Sequence, residues 1–390
     1  MMIWVYWISG LALALIWSVG VLHAALNLSR LTDVTGVEWT PKADFPLPSL
    51  TIVVPARNEE AALEPALRSL LGLDYPEFQV VAVNDRSVDK TGEIMDRLAR
   101  EAGGRLRVVH VKDLPAGWLG KTHAMWLGAQ QAGSEWILFT DADCIFHPEA
   151  LRRALAYAMK NHADHLVMLP TFIMRGFGER MMLSFFPTVA LLALRLWKVS
   201  DPKARDHVGA GAFNLVRRTA YEKAGTFERL RLEIVEDMKL GESVKKAGLR
   251  SDVVLGPGLV RLRWVVGTMG FVNGLEKNLF AFLEFRVSWA LAVCLGFAFI
   301  GIWPSLGLLL APGWAKAGFG VAVVMCAAVY WRVSRYTGIS PLFFVTYPVA
   351  AALASLATLR SAFLAVKNGG VTWRGTKYSL KELRHRHSGG

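Results

Sequence analysis

At 390 residues the chain has room for one large domain or two smaller ones. With 53% hydrophobic and only 19% charged residues it is too apolar for an ordinary soluble enzyme, which points to membrane segments. A net charge of +12 suits a nucleic-acid binder or a protein beside an anionic leaflet. The first is set aside, because no basic stripe is interleaved with aromatics and no finger-type Cys/His spacing occurs. Cys144, Cys294 and Cys326 are too few and too far apart for a disulfide framework or a zinc site, as fits a reducing compartment.

The first segment, "MMIWVYWISGLALALIWSVGVLHAALNL", carries no Lys, Arg, Asp or Glu before Arg30. It exceeds the roughly 20 apolar residues a spanning helix needs. Without a basic start or a small-residue cleavage site it reads as an anchor over 1–30 rather than a removed signal peptide. Arg30 favours a cytoplasmic location for the chain on its C-terminal side.

From Ser49 the pattern changes. "LTIVVPA", "FQVVAVND", "RLRVVHV" and "EWILFTDAD" read as strands. "NEEAALEPALRSLLGL", "DKTGEIMDRLAREAG" and "KTHAMWLGAQQAG" read as the helices between them. Alternation of this kind implies an α/β domain over 45–265 with a mostly parallel sheet covered on both faces. Ligands on such sheets bind beyond the carboxyl ends of the strands. "VPARNE", "VNDRS" and "TDADC" all fall there, so three polar clusters share one predicted edge.

The segment 181–199 is apolar but interrupted by Pro187 and Arg195, which suits the membrane interface or an acceptor pocket; residues 266–287 read as interfacial helices. Three further candidate spans lie at 288–310, 317–333 and 341–364, within a membrane region of 288–366. Arg332 and Arg335 place the last inter-span loop inside, and the basic tail, 367–390, also asks to be inside. Both cannot hold if the final segment crosses once.

Taken alone, Asp141 and Asp143 at a strand end are either a solvated loop or a metal site, since Mg²⁺ and Mn²⁺ take carboxylate oxygens. Asn58 is a candidate helix cap, Asp85 a candidate Asx-turn residue, and Asp237 a candidate helix N-cap. "GWLGKTH" ends like a phosphate-binding loop, but Pro115 stands where the pattern needs glycine.

"VPARNEE" (54–60), "VNDRSVDKT" (83–91), "TDADC" (140–144) and "VEDMKLGESVKKAG" (235–248) occur in that order. Together they resemble glycosyltransferase family 2, over roughly 49–260. The flanking apolar segments and "GGVTWRGTKY" resemble its membrane-bound members that glycosylate lipids, including hopanoid-associated, carotenoid and ceramide types. The resemblance implies a GT-A (Rossmann-like) catalytic domain facing the cytoplasm of an inner membrane of bacterial type. It implies inverting transfer of a hexose from a nucleotide-sugar, a UDP-sugar above all, to a membrane lipid, with Mg²⁺ or Mn²⁺ and without nucleic acid. Pro55, Ala56, Arg57, Asn58 and Glu59 would line the nucleotide pocket, and Asp85 would accept a hydrogen bond from uracil. Asp143 would ligate the metal. Asp141 would contact the donor sugar or ribose, or the metal through water, and Lys121 would approach the diphosphate. Asp237 would be the catalytic base, supported by Glu236. His207 is a further candidate for the metal or diphosphate, and Arg374 either folds back to the diphosphate or, the favoured reading, anchors the chain at the membrane surface. Relatives that polymerise sugars carry Gln or Arg three residues before Arg-Trp; here Val260 precedes Arg263-Trp264, which counts against a processive polysaccharide synthase. Intact Asp85, Asp143 and Asp237 count against a non-catalytic scaffold, and "PARNEE" in place of a glycine-rich basic loop counts against a nucleotidyltransferase.

Overall fold

A computed structural model describes all residues except 1, 42–44, 276–277, 374–375 and 386–390. Arg374 therefore lies outside the described residues. The chain forms two compact units, one of residues 30–173 and 195–263, the other of residues 1–29, 174–194 and 264–390. Within the expected 45–265 segment, the apolar stretch 174–194 folds with the apolar helices of the second unit.

The first unit is built on eight strands: β1 (Thr32–Asp33), β2 (Leu50–Ala56), β3 (Phe78–Asp85), β4 (Leu106–Val111), β5 (Trp136–Phe139), β7 (His165–Leu169), β9 (Asn214–Arg217) and β10 (Ser251–Leu255). The short strands β6 (Ile145–Phe146), β8 (Thr171–Phe172) and β11 (Val260–Leu262) make a second, three-stranded sheet. The main sheet runs β1-β10-β7-β9-β5-β2-β3-β4. β5, β2, β3 and β4 are parallel neighbours, so their carboxyl ends share one edge. β2 is buried along its whole length, which is why it reads as an unbroken apolar run. β9 runs antiparallel between β5 and β7, where the sequence suggested only a mostly parallel sheet. Val53, Met125, Ile137, Phe139, Phe227 and Leu240 pack into a core on one face, and the helix Gly120–Gln130 crosses it.

The helix after β2 begins at Leu63, not at Asn58. Residues 58–60 instead turn their N–H groups toward the loop after β3. Asn58 N donates to Ser87 Oγ (3.1 Å), Glu59 N to Thr91 Oγ1 (2.8 Å) and Glu60 N to Asp89 Oδ2 (3.1 Å). Asn58 Oδ1 accepts from Val88 N (2.9 Å) in return. The two loops are thus stitched together rather than capped separately.

In the second unit four helices are long and apolar enough to cross a membrane: Ile3–Leu28, Val287–Leu310, Gly313–Thr337 and Pro341–Lys367. The expected segments at 288–310, 317–333 and 341–364 fall inside the last three. Their neighbours fix the order of levels along the bundle. Trp17 Nε1 donates to Ile300 O (3.2 Å), and Trp303 Nε1 to Ser9 Oγ (3.1 Å). A Cβ on Gly301 would meet Ala351 at 2.6 Å, Cys294 Sγ donates to Ser355 O (3.6 Å), and Phe280 N donates to Ser361 Oγ (3.1 Å). The helix Tyr347–Lys367 therefore runs antiparallel to 287–310, but it starts level with Gly301, midway along. Tyr330 also stacks edge-on against Tyr347, with centroids 6.0 Å apart. The helix Lys316–Thr337 continues seven residues past Tyr330, about 10 Å at 1.5 Å per residue. The segment Pro341–Thr346 must climb back before the last helix descends. The ends of the last two helices consequently lie on the same side of the bundle, which removes the conflict between Arg332, Arg335 and the basic tail. Arg384 of that tail donates to Phe285 O (2.8 Å), beside the start of the helix at Val287.

Candidate active site

Three loops meet beyond the carboxyl ends of β2, β3 and β5, and the start of the helix Glu236–Lys246 joins them. Small residues make this possible. The ladder of β5 is extended by Asp141 N donating to Gly211 O (2.9 Å) and by Thr140 Oγ1 donating to Ala212 O (2.8 Å). A Cβ on Gly209 would overlap the backbone of Asp237, and one on Gly211 would overlap Asp141 Oδ2. Close packing and site geometry are therefore one requirement at these glycines.

Asp237 does not cap its helix in the usual way. Its Oδ2 accepts from Gly211 N (2.9 Å) and its Oδ1 from Met238 N (2.7 Å), so the half-buried carboxylate is fixed by two backbone donors. Behind it runs a buried polar chain. Asn214 Nδ2 donates to Asp237 O (3.3 Å), Asn214 Oδ1 bonds His165 Nε2, and His165 Nδ1 bonds Ser251 Oγ (2.8 Å). Burial lowers His165 to about 4, so it is neutral in the folded protein.

Lys121 sits in the first turn of the helix Gly120–Gln130, and it is not the solvated lysine that position would allow. Its Nζ lies 2.6 Å from Asp141 Oδ1 and 2.6 Å from Glu236 Oε1. Against the cost of burial, these carboxylates hold the ammonium well above the ordinary lysine range. Glu236 is buried and pushed up to about 7, because desolvation outweighs the attraction of Lys121. Asp143 is raised to about 6 by burial and by the charges of Asp141 and Glu59. Leu119 N and Thr122 Oγ1 both donate to Arg231 O (2.7 Å each), tying the lysine-bearing turn to the segment that leads into Glu236.

Asp85 is almost fully buried. Arg86 Nε donates to its Oδ1 (2.7 Å) and Nη2 to its Oδ2 (3.1 Å), while Arg57 Nη1 stands 3.9 Å away. In this loop Asn84 Oδ1 accepts from Ser87 N (3.2 Å), and the Asx turn is made by Asp89, whose Oδ1 accepts from Thr91 N (3.0 Å). His207 is turned to Arg205 O (3.1 Å). Pro55 and Ala56 end β2 as buried backbone.

Among the described residues no group of three or more His, Cys, Asp or Glu is arranged as a metal cage. The residues present nonetheless suit a divalent cation that binds with a diphosphate. Mg²⁺ takes only one or two carboxylates and completes its shell with phosphate oxygens and water. Asp143, raised to about 6 by burial first and then by the charges of Asp141 and Glu59, supplies a carboxylate on which such a cation would act.

The mixed sheet, with its strand-end carboxylates and the small-residue loop beside β9, is a GT-A-like α/β fold. A mannosyltransferase from Pyrobaculum calidifontis, solved with GDP-Man and Mn²⁺, superposes at TM-score 0.52 with 18% identity, over 92% of this chain and 99% of that one. Residues 51–225 match the family described as Glycosyl transferase family 2, and the protein is a family 2 glycosyltransferase. At 25% identity over 344 residues, 86% of this chain and 89% of the relative, it is similar to a 4,4'-diaponeurosporenoate glycosyltransferase of Staphylococcus aureus strain bovine RF122 / ET3-1. A Staphylococcus aureus TarS structure in complex with UDP-GlcNAc aligns at TM-score 0.41 and 18% identity, over 85% of this chain and 96% of that one.

Of the residues singled out in the sequence, Asp141, Lys121 and Glu236 are joined directly, and Asp237 meets them through Gly211. Sequence reasoning missed Arg86, Asn214 and His165. Arg86 stands next to a residue already chosen. The other two carry no local signal, because their partners lie on separate strands.

Proposed function

We propose that the protein transfers a hexose, with inversion, from a UDP-sugar to a hydroxyl or carboxylate of a membrane lipid. The observation that carries the mechanism is the unequal state of Glu236 and Asp237. Glu236 is buried against Lys121. Asp237 is half-buried and held by two N–H donors, which fix its carboxylate in place with no salt bridge to it among the described residues, as suits a base. For a hydroxyl acceptor, Asp237 takes the proton as the acceptor oxygen attacks the anomeric carbon. The bond from that carbon to the diphosphate oxygen breaks on the opposite face, and the nucleoside diphosphate leaves with the electron pair. Asp143, with Asp141, would hold Mg²⁺ or Mn²⁺, which would offset the charge of the departing diphosphate. Lys121 and Asp141 orient the donor, and residues 55–59 with Asp85 line the nucleotide pocket.

The lipid acceptor is supported by the apolar helices and by the relative named for 4,4'-diaponeurosporenoate, a carotenoid. A cytoplasmic site is supported by Arg30 after the first helix and by Arg332, Arg335 and the tail on one side. The test is transfer from UDP-sugars to extracted membrane lipids, with products identified by mass spectrometry. The wild type should label a lipid; Asp143→Asn and Asp237→Asn should each lose transfer by about 10²-fold or more. Full activity in both variants would refute the mechanism.

A further inference from the structure

The segment 209–214 holds Asp237 at both its side chain and its main chain. Gly211 N donates to Oδ2 (2.9 Å), and Asn214 Nδ2 donates to the main-chain O (3.3 Å). We propose that Asn214 and His165 are positioning residues for sugar transfer: through a relay that starts at Ser251, they fix the carbonyl of Asp237 and so the place where its carboxylate meets the acceptor. This rests on the reading of Asp237 as the base.

The relay has one consistent arrangement of protons. Asn214 gives an amide N–H to Asp237, so its Oδ1 is the atom turned to His165 Nε2. An oxygen there needs a donor, so Nε2 carries the proton. The ring is neutral, because burial lowers it to about 4, so Nδ1 keeps a lone pair and Ser251 Oγ donates to it (2.8 Å). The reverse arrangement fails. Turning the Asn214 amide over would set Oδ1 against the carbonyl oxygen of Asp237, two acceptors with no proton between them. The tautomer of a histidine on β7 thus dictates which way an amide on β9 points.

The fold supports this relay at each step. Ser251 opens β10, His165 opens β7 and Asn214 opens β9, and the ladders pair Ser251 with His165 and His165 with Val216. Asn214 and Val216 share a face of their strand, and Val216 packs with Leu240 and Val244 of the helix Glu236–Lys246. Ser251 and His165 are fully buried and Asn214 is 1% exposed, a setting in which an unpaired polar group is most costly. The helix and the segment 208–211 touch backbone to backbone: a Cβ on Gly241 would overlap Val208 O, as one on Gly209 would overlap Asp237. A shift of either is passed to the other, and the Asn214 bond sets where the carbonyl of Asp237 rests. His165 lies behind Asp237 and acts only through Asn214.

The experiment is steady-state transfer from a UDP-sugar to extracted membrane lipid by the full-length protein in detergent. Wild type, Asp237→Asn, Asn214→Ala, His165→Leu and His165→Gln are compared, with UDP affinity in Mn²⁺ and melting temperature measured on each. Asn214→Ala and His165→Leu should each lower kcat about tenfold or more, with KM for the donor and UDP affinity within about twofold of wild type. His165→Gln keeps an amide N–H for Asn214 Oδ1 and should recover kcat to within about threefold. A purely structural relay would lower the melting temperature and leave kcat per folded molecule at the wild-type value, and that result in Asn214→Ala and His165→Leu would overturn the proposal. So would a fall in UDP affinity as large as the fall in kcat, or a His165→Gln no faster than His165→Leu. If His165→Leu does not fold, Asn214→Ala decides alone, because it removes the contact to Asp237 and leaves His165 in place. A wild type without transfer, or full transfer by Asp237→Asn, would overturn the reading of the base and the relay with it. Loss in Asp237→Asn beside unchanged rates in the relay variants would overturn the relay alone.

Discussion

Removing the Lys121 side chain should destabilise the protein in a way that depends on pH, and the dependence can be worked out from Glu236. In the unfolded chain a glutamate titrates near 4.5; in the folded protein Glu236 is raised to about 7 even with Lys121 Nζ at 2.6 Å. A raised folded pKa means that this carboxyl stabilises the fold less as pH rises, until it ionises in the folded state too. In the wild type that loss stops near pH 7. In Lys121→Met the nearest cation is gone, the folded pKa climbs further, and the loss continues at about 1.4 kcal/mol per pH unit. At pH 6 the glutamate is protonated in both proteins, and this contribution is the same. By pH 8.5, 1.5 units above the wild-type pKa, the variant should be weaker by about a further 2 kcal/mol through Glu236 alone. The assay is the melting temperature of each protein in detergent from pH 6 to 8.5. The gap between wild type and Lys121→Met should widen above pH 7, and the double variant Lys121→Met/Glu236→Gln should lack the widening. A gap that stays constant with pH, or a double variant as pH-dependent as the single one, would refute the pairing.

The same geometry makes further predictions. Gly209→Ala should cut transfer by at least about tenfold, because the added Cβ meets the backbone of Asp237 and has no flexible neighbour to displace; Gly211→Ala meets the Asp141 side chain and should be milder, and initial rates would rank the two. His165 is depressed from 6.5 to about 4, so its contribution to stability is full above pH 6.5 and lost as pH falls toward 4, a difference of about 3 kcal/mol. His165→Gln should therefore lose less stability than wild type between those two pH values, as read from melting curves; equal losses would contradict a neutral buried histidine.

The parts of this fold that were plain in the sequence are those where local pattern and tertiary role coincide. "LTIVVPA" and "FQVVAVND" are strands with the bounds their apolar runs suggest, because β2 and most of β3 are buried on both faces. The four-motif order likewise announced the family. What stayed hidden depended on partners far along the chain. The helix after β2 loses its first turn because Asn58, Glu59 and Glu60 bond a loop some 30 residues on. β9 is four residues long and owes its direction to two neighbours, not to its composition. The last apolar segment has the length of a full span, yet where it starts is set by Gly301, Tyr330 and Tyr347.

The two carboxylate pairs of the site are the case where sequence and structure most need each other. In sequence, Asp141 with Asp143, and Glu236 with Asp237, are close carboxylate neighbours, and only the family resemblance gives their members unequal roles. In the structure one lysine takes a member of each pair, Asp141 at 2.6 Å and Glu236 at 2.6 Å. Its single positive charge cannot neutralise four carboxylates, and it lies against the two whose ionised forms it stabilises most directly. The remaining members are left with different surroundings. Asp143 has burial and like charges around it, the setting in which the proposed cation would act. Asp237 has two backbone N–H donors, which fix the position of its carboxylate beside Gly211. On the proposed reading, then, the division of labour between donor and acceptor chemistry is drawn by where Lys121 reaches. Moving that charge, as in Lys121→Met, should disturb both halves of the reaction at once, whereas Asp237→Asn should slow transfer and leave nucleotide affinity unchanged.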